Sequence, residues 1–434
     1  MMTPSLHPGQ GRPGSSHHGR HEPFRSARRA GPRWRLRSAL AVVVTSGLLL
    51  ATGCGGGDDH PRARSGTTAE GEALPPGVVT TSTAPPAAAP ILLSTQGGHL
   101  DAYEALPPYT AQRVATGTGA DPDGVDLRGQ ICPFPDGTGR LVVAAGTARW
   151  TVLQLRGAGV GDLSAEPVGG LRLAPVPGES GEGAFGCGFL RDGRLVTTDV
   201  GDPSGARADG RLVLWFPPFT GDTTRSCTLD AGIGAPRALW VDDQDRIHVA
   251  SGGGPGAGVW RYSGPYPTAP DAAGGCAGTD PAGEPQADRT RREPLIPAGA
   301  DGLTSPTGIA GGPEGTLVVS STAAGTIDEY DANGVFLRTL LRPPSDDPTR
   351  PGPPPTGTPL GLAVDPDGTV WYADAGWVPA GDGFTALPGA GSLRRLTPPT
   401  RGGPAPETVA RGLDRPTGVT LLVPGATGGA ASRA

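Results

Sequence analysis

From residue 91 onward, apolar and polar residues alternate in short runs, separated by steps rich in glycine, proline and aspartate. A period of two predicts half-buried β-strands joined by tight turns. The clearest copy is Pro359-Leu360-Gly361-Leu362-Ala363-Val364-Asp365-Pro366-Asp367-Gly368-Thr369-Val370-Trp371-Tyr372-Ala373-Asp374. It reads as strand, turn, strand, and Asp365-Pro366-Asp367-Gly368 supplies the turn chemistry. A third strand is expected at 391–396 and a fourth near 408–410. The same order recurs from Pro306 with a third strand at 326–330, and from Pro236 with a third strand at 259–262. Earlier copies span 184–199 with 211–216, and 130–145 with 151–155.

The two ends complete one another. Pro416-Thr417-Gly418-Val419-Thr420-Leu421-Leu422 is a first strand with nothing after it, while 91–95 and 99–103 are later strands with nothing before them. Joined, they make one more unit, and closing a ring in this way removes exposed sheet edges. The expectation is an all-β, six-bladed β-propeller over residues 91–434, because a sandwich has no reason to repeat. Tyr103, Phe216, Tyr262 and Tyr330 fall at like places in the third strands and are expected to pack between blades.

Composition agrees with many turns: the chain has 73 Gly and 50 Pro, and its 36% hydrophobic content suffices for a core in 434 residues. Lysine is absent, which removes a Walker-type phosphate loop and Schiff-base chemistry. Five of the seven histidines precede residue 61, leaving His99 and His248 in the body. A catalytic zinc site, which usually takes two or three imidazoles, is disfavoured. No Gly-x-Ser-x-Gly or His-Glu-x-x-His occurs, and Asp242-Asp243-Gln244-Asp245 reads as a hairpin turn rather than a Ca²⁺ loop.

Residues 1–37 are polar and arginine-rich, 39–53 are uncharged and mostly apolar, and Cys54 follows. That order predicts an export signal over 1–53. Leu50-Ala51-Thr52-Gly53-Cys54 resembles a bacterial lipobox, which implies lipidation at Cys54 and a cell-membrane anchor facing the extracytoplasmic side. Residues 54–90 form a Gly/Pro/Ser/Thr/Ala tether without apolar periodicity, expected to stay disordered. The first 53 residues hold eight arginines and one acid, leaving 28 arginines against 41 acids. Such an acidic body is a poor nucleic-acid binder. The partners expected are the membrane, through the lipid, and a protein or envelope-glycan ligand, with the chain a monomer.

With Cys54 lipidated, four cysteines remain, and an even number in an exported chain predicts two disulfides in one of three connectivities. The repeat alignment favours Cys132–Cys187, at nearly equivalent first-strand places in adjacent blades, and Cys227–Cys276, in outer connections of consecutive blades. No Cys-x-x-Cys spacing suggests a redox or zinc motif.

The pattern Pro-x-Gly-[Ile/Leu/Val]-x-x-x-Pro-[Asp/Glu]-Gly-Thr-[Val/Leu] followed by Ala-Asp resembles the NHL-repeat and gluconolactonase-like (regucalcin-like) six-bladed propellers, best over residues 303–422. In such blades the start of the first strand and the end of the second reach one channel mouth. Aligned copies place Thr95, Ala145, Asp199, Ser251, Ser321 and Asp374 at the second-strand end, and Glu182, Arg237, Thr307, Leu360 and Thr417 at the first-strand start. Asp199, Asp374 and Glu182 are therefore candidate ligands for Ca²⁺ or another divalent cation, a hard ion that takes carboxylate oxygens. Arg237, Ser251, Ser321 and Thr95 are candidate ligand-binding groups beside them. The resemblance implies a metal that polarises a lactone carbonyl, but the family's metal-site Asn and early Glu-x-Pro-x-Trp segment are not evident. The other reading is that each Asp only caps a turn. Two functions follow: a noncatalytic binding or scaffold propeller, and a metal-dependent hydrolase of lactonase type. Streptogramin-lyase-like and quinone-dependent sugar dehydrogenase chemistry rely on channel-facing histidines, which are scarce here.

Overall fold

The alternating runs form six four-stranded antiparallel sheets, each a blade. The computed structural model describes residues 90–116, 126–173, 183–202, 206–221, 225–270, 275–277, 289–343, 356–380, 383–397 and 406–422. The segments expected to be an export signal and, up to Ala89, a tether, with Cys54 and Glu182, lie outside the described residues. No α-helix occurs among those described.

The innermost strands are Gly418–Leu422 in blade 1, Leu127–Pro133 in blade 2, Ala184–Phe189 in blade 3, Pro236–Val241 in blade 4, Pro306–Gly311 in blade 5 and Pro359–Val364 in blade 6. Each touches the next, and the strand of blade 6 touches that of blade 1, so the ring closes. Blade 1 is the composite expected: Gly418–Leu422 pairs antiparallel with Ile91–Gln96, Ile91 facing Leu422. His99–Glu104 and Ala111–Thr116 complete it.

The Pro-x-Gly pattern has a physical reason at this ring. A Cβ on Gly308 would run into the backbone carbonyl of Leu360 on the next blade, and one on Gly418 would run into that of Gly129. Inner strands therefore approach backbone to backbone at these places, which only glycine permits. In blade 2 the inner strand begins at Leu127, not Gln130, and a Cβ on Gly129 would run into the Phe185 carbonyl of blade 3.

The core lies between blades. Ala238, Ala250 and Val259 of blade 4, for example, cluster with Ile309, Leu317, Val319 and Tyr330 of blade 5. Tyr103, Phe216, Tyr262 and Tyr330 are all buried there, as their positions predicted. Both favoured disulfides are present. Cys132–Cys187 ties the inner strands of blades 2 and 3 with Cα atoms 6.0 Å apart. Cys227–Cys276 joins blade 3's outer strand to a short hairpin inserted in blade 4, Ala269–Pro270 with Cys276–Ala277, at 4.9 Å. That hairpin falls in what the sequence presents as a loop. The sequence reads 265–292 and 343–355 as long polar loops; the hairpin lies in the first, and residues 344–355 of the second lie outside the described residues.

Candidate functional site

The second strands of the blades end in a layer of buried side chains, and the sequence places most of its candidates there. Thr95, Asp199, Ser251, Ser321 and Asp374 are all buried. Their hydrogen bonds show what holds them. Asp199 Oδ2 accepts from Arg211 Nε at 2.6 Å on the third strand of the same blade. Asp374 Oδ2 accepts from Arg394 Nη2 at 2.8 Å and Ser392 Oγ at 2.7 Å. Its Oδ1 accepts the backbone N–H groups of Thr358 at 2.8 Å and Gly376 at 3.1 Å. This aspartate thus fastens the chain entering its blade to the chain leaving the second strand.

Of the hydroxyls, Thr95 acts between blades and Ser321 within its own. Thr95 Oγ1 donates to the Gly129 carbonyl at 2.9 Å, tying blade 1 to blade 2. Ser321 Oγ lies 3.1 Å from Thr304 Oγ1 and accepts the Ser305 N–H at 3.2 Å. Arg237 is buried at the start of blade 4's inner strand, its guanidinium 5.8 Å from the Phe185 ring centroid. Two polar atoms in this layer, Asp199 Oδ1 and Ser251 Oγ, are buried without a hydrogen-bond partner.

A guanidinium against each carboxylate opposes a divalent cation at Asp199 or Asp374. Among the described residues, no three His, Cys, Asp or Glu gather into a metal-holding group. At this level the channel itself is closed: Phe185, Val200 and Ala235 of blades 3 and 4 pack as one apolar cluster with Leu360, Ala375 and Trp377 of blade 6. Blades 3 and 6 face each other across the ring, so the cluster spans it.

The other end of the channel is open. A cavity of about 460 Å³ is lined by the second halves of all six inner strands and by turns that follow them. None of Thr95, Asp199, Arg237, Ser251, Ser321 and Asp374 lines it. Blades 5, 6 and 1 line it with Ile309, Ala310, Leu362, Ala363, Val419 and Thr420, none of them charged. The polar groups cluster over blades 2 to 4. Gln130 is the least foreseeable of them. Its Oε1 accepts the N–H of Cys187 at 3.1 Å and of Leu239 at 2.9 Å, and its Nε2 donates to the Leu239 carbonyl at 2.9 Å. One carboxamide thus joins three blades, and nothing in the sequence marks it, because its partners are backbone groups 57 and 109 residues away.

Blade 4 contributes Trp240 and the turn 242–245 to the cavity mouth. Burial alone would raise the Asp242 carboxyl, but hydrogen bonds from His248 and Arg246 hold it well below the usual carboxylate range. Burial in turn holds the His248 imidazole below its ordinary value, against the pull of Asp242. His248 Nε2 sits 3.1 Å from Asp242 Oδ2 and the ring lies 5.1 Å from that of Trp240. The pair braces the turn from beneath. His99, in blade 1, has its Nε2 2.6 Å from Arg113 Nη2.

No protein-family model matches the sequence, and no curated protein matches it. Solved structures are similar to it. A protein of unknown function from Bacteroides caccae is 10% identical with a TM-score of 0.43, covering 77% of this chain and 99% of that one. Virginiamycin B lyase from Staphylococcus aureus is 12% identical with a TM-score of 0.37, over 69% and 74% of the two chains. A luciferin-regenerating enzyme is 15% identical with a TM-score of 0.42, over 74% and 99%. Likeness at this level speaks to neither substrate nor chemistry.

Proposed function

We propose that this chain is a noncatalytic binding propeller, held by a lipid on Cys54 at the extracytoplasmic face of the cell membrane, with its ligand in the open cavity. The observation that carries the reading is the fate of the carboxylates: Asp199 is taken by Arg211, and Asp374 by Arg394, Ser392 and backbone N–H groups. Such groups hold a fold together rather than wait for a substrate. The cavity, in contrast, is open, is lined by all six blades, and has a volume in the range of small-ligand sites.

A second reading, the metal-dependent hydrolase of lactonase type, draws on the unpartnered Oδ1 of buried Asp199. Calorimetric titration of the full-length protein with Ca²⁺, Mg²⁺, Mn²⁺ and Zn²⁺, beside Asp199→Ala and Asp374→Ala, separates the two. Absence of binding supports the noncatalytic reading. Tight binding lost in both variants, with turnover of a lactone or ester, replaces it with the hydrolase. Cys54→Ser is expected to move the protein from the membrane fraction to the soluble one.

A further inference from the structure

We infer that His248 is an acid-operated latch on the mouth of the cavity: neutral, it holds the turn 242–246 in shape, and protonated, it lets that turn go. The latch regulates the proposed ligand cavity and in that sense rests on the cavity reading, but its test needs no ligand.

The turn is built around one carboxylate. Asp242 Oδ1 accepts the N–H groups of Gln244 at 2.9 Å and Arg246 at 2.8 Å, and Oδ2 accepts from Arg246 Nε at 2.5 Å and His248 Nε2 at 3.1 Å. These bonds hold Asp245 in the left-handed region at φ +58°, a conformation that costs a non-glycine residue free energy and lasts only while its surroundings enforce it. Asp245 in turn fastens neighbours. Its Oδ1 accepts the Arg191 N–H of blade 3 at 2.8 Å, and its carbonyl accepts from the Tyr266 hydroxyl at 2.7 Å. Trp240, Val241, Asp242, Asp243 and Asp245 all line the cavity, so the shape of this turn is the shape of that wall.

His248 fits the closed turn in one charge state only. An ionised Asp242 can only accept, so the shared proton sits on Nε2 and Nδ1 carries the lone pair. His248 is 1% exposed, and its Nδ1 has no hydrogen-bond partner. A second proton would go on that atom and find no acceptor. The ring lies 5.1 Å from that of Trp240, and the indole is backed by Gly311 of blade 5, where an added Cβ would strike it. The charges that face the imidazole are Asp242 and Arg246 on its own hairpin and Arg261 on the third strand. Arg261 bonds Glu293 Oε1 through Nε at 2.6 Å and the Ala332 carbonyl of blade 5 through Nη1 at 3.1 Å. Burial, aided by the two arginines, outweighs the pull of Asp242 and holds the imidazole below its ordinary value.

A neutral histidine therefore favours the closed turn, and a charged one favours an opened turn in which the ring reaches water. The latch is fully engaged above the ordinary histidine value of about 6.5 and weakens as pH falls below it. One proton taken up on opening changes the opening equilibrium by at most about tenfold per pH unit.

The test is amide hydrogen exchange of the full-length protein between about pH 7.5 and about pH 5, with rates corrected for the intrinsic effect of pH. Protection at Gln244 and Arg246 is expected to fall by up to about tenfold per pH unit below about pH 6.5, while that of Ile91–Gln96, on the opposite side of the ring, holds. His248→Gln keeps an N–H for Asp242 and cannot titrate, so its protection at the same two amides is expected to stay level. Level protection in the parent, or the same fall in His248→Gln, overturns the inference. If His248→Gln does not fold, nitrogen-15 NMR of the parent's His248 ring decides. A ring that takes up its proton in step with the loss of protection supports the latch, and a ring that stays neutral while protection falls overturns it. None of these outcomes depends on a ligand, so the latch and the cavity reading fail separately.

Discussion

Arg394 reaches across one strand pair to place its Nη2 2.8 Å from Oδ2 of Asp374, twenty residues earlier in the chain. The two form an ion pair whose carboxylate side chain is 2% exposed and whose guanidinium side chain is 18% exposed. A buried pair adds little over an apolar isostere, but removing one partner strands the other's charge. Asp374→Ala leaves Arg394, Ser392 and the N–H groups of Thr358 and Gly376 without their acceptor. The expected loss is about 3–5 kcal/mol of stability, read as a fall in the urea midpoint.

Gly308→Ala tests the close approach of the inner strands. The new methyl group meets the Leu360 carbonyl, so blades 5 and 6 must part or the strand must bend. Overpacking of this kind costs about 1–3 kcal/mol. Gly315→Ala, at an open turn where no atom stands within 4 Å, is the comparison that isolates strain at φ +77° from crowding at the ring.

Gln130→Ala removes the acceptor shared by the Cys187 and Leu239 N–H groups. Each donor left unsatisfied costs about 1–3 kcal/mol. Amide hydrogen exchange at these two positions should accelerate more than at the outer strands. Equal protection in both proteins contradicts the bridging role.

The two disulfides close segments with sequence separations of 55 and 49 residues. Replacing either pair with serine is expected to lower stability by about 2–4 kcal/mol. A mass map of nonreduced peptides checks the pairing, and a Cys132–Cys227 link contradicts it.

The Asp365–Asp367 turn makes stability depend on mild acidity. Burial, with a hydrogen bond and repulsion from Asp367, pushes the Asp365 carboxyl up to about 6. The unfolded chain titrates near 3.9. A group raised on folding favours the protonated state, so its contribution is full below about pH 4 and lost as pH rises through about 6. Asp365→Asn should therefore stabilise the protein above pH 6 relative to the parent, with the difference fading below pH 4. Melting curves across that window give the answer, and a gain independent of pH counts against the assignment.

The repeating unit was readable because each blade restates the same local chemistry: Pro-x-Gly where backbones meet, then a turn, then alternation. The closure of blade 1 and both disulfides followed from that register alone. The engagement of Asp199 and Asp374 did not. Whether an end-of-strand aspartate faces a solvent channel or an arginine depends on which third-strand residue stands opposite it, as Arg211 does, or two places on, as Arg394 does, and neither arginine carries a sign of it in its own neighbourhood. The location of the cavity was hidden for a related reason. Inner-strand residues such as Ile309 and Leu362 look the same in sequence whether they fill a core or line a pit. The difference lies in the Phe185–Leu360–Trp377 cluster, which assembles from opposite sides of the ring.

That cluster makes the propeller a cup rather than a pipe. A molecule in the cavity is reached from the face that carries the turns of blades 2 to 4, and the packed cluster stands between it and the other face.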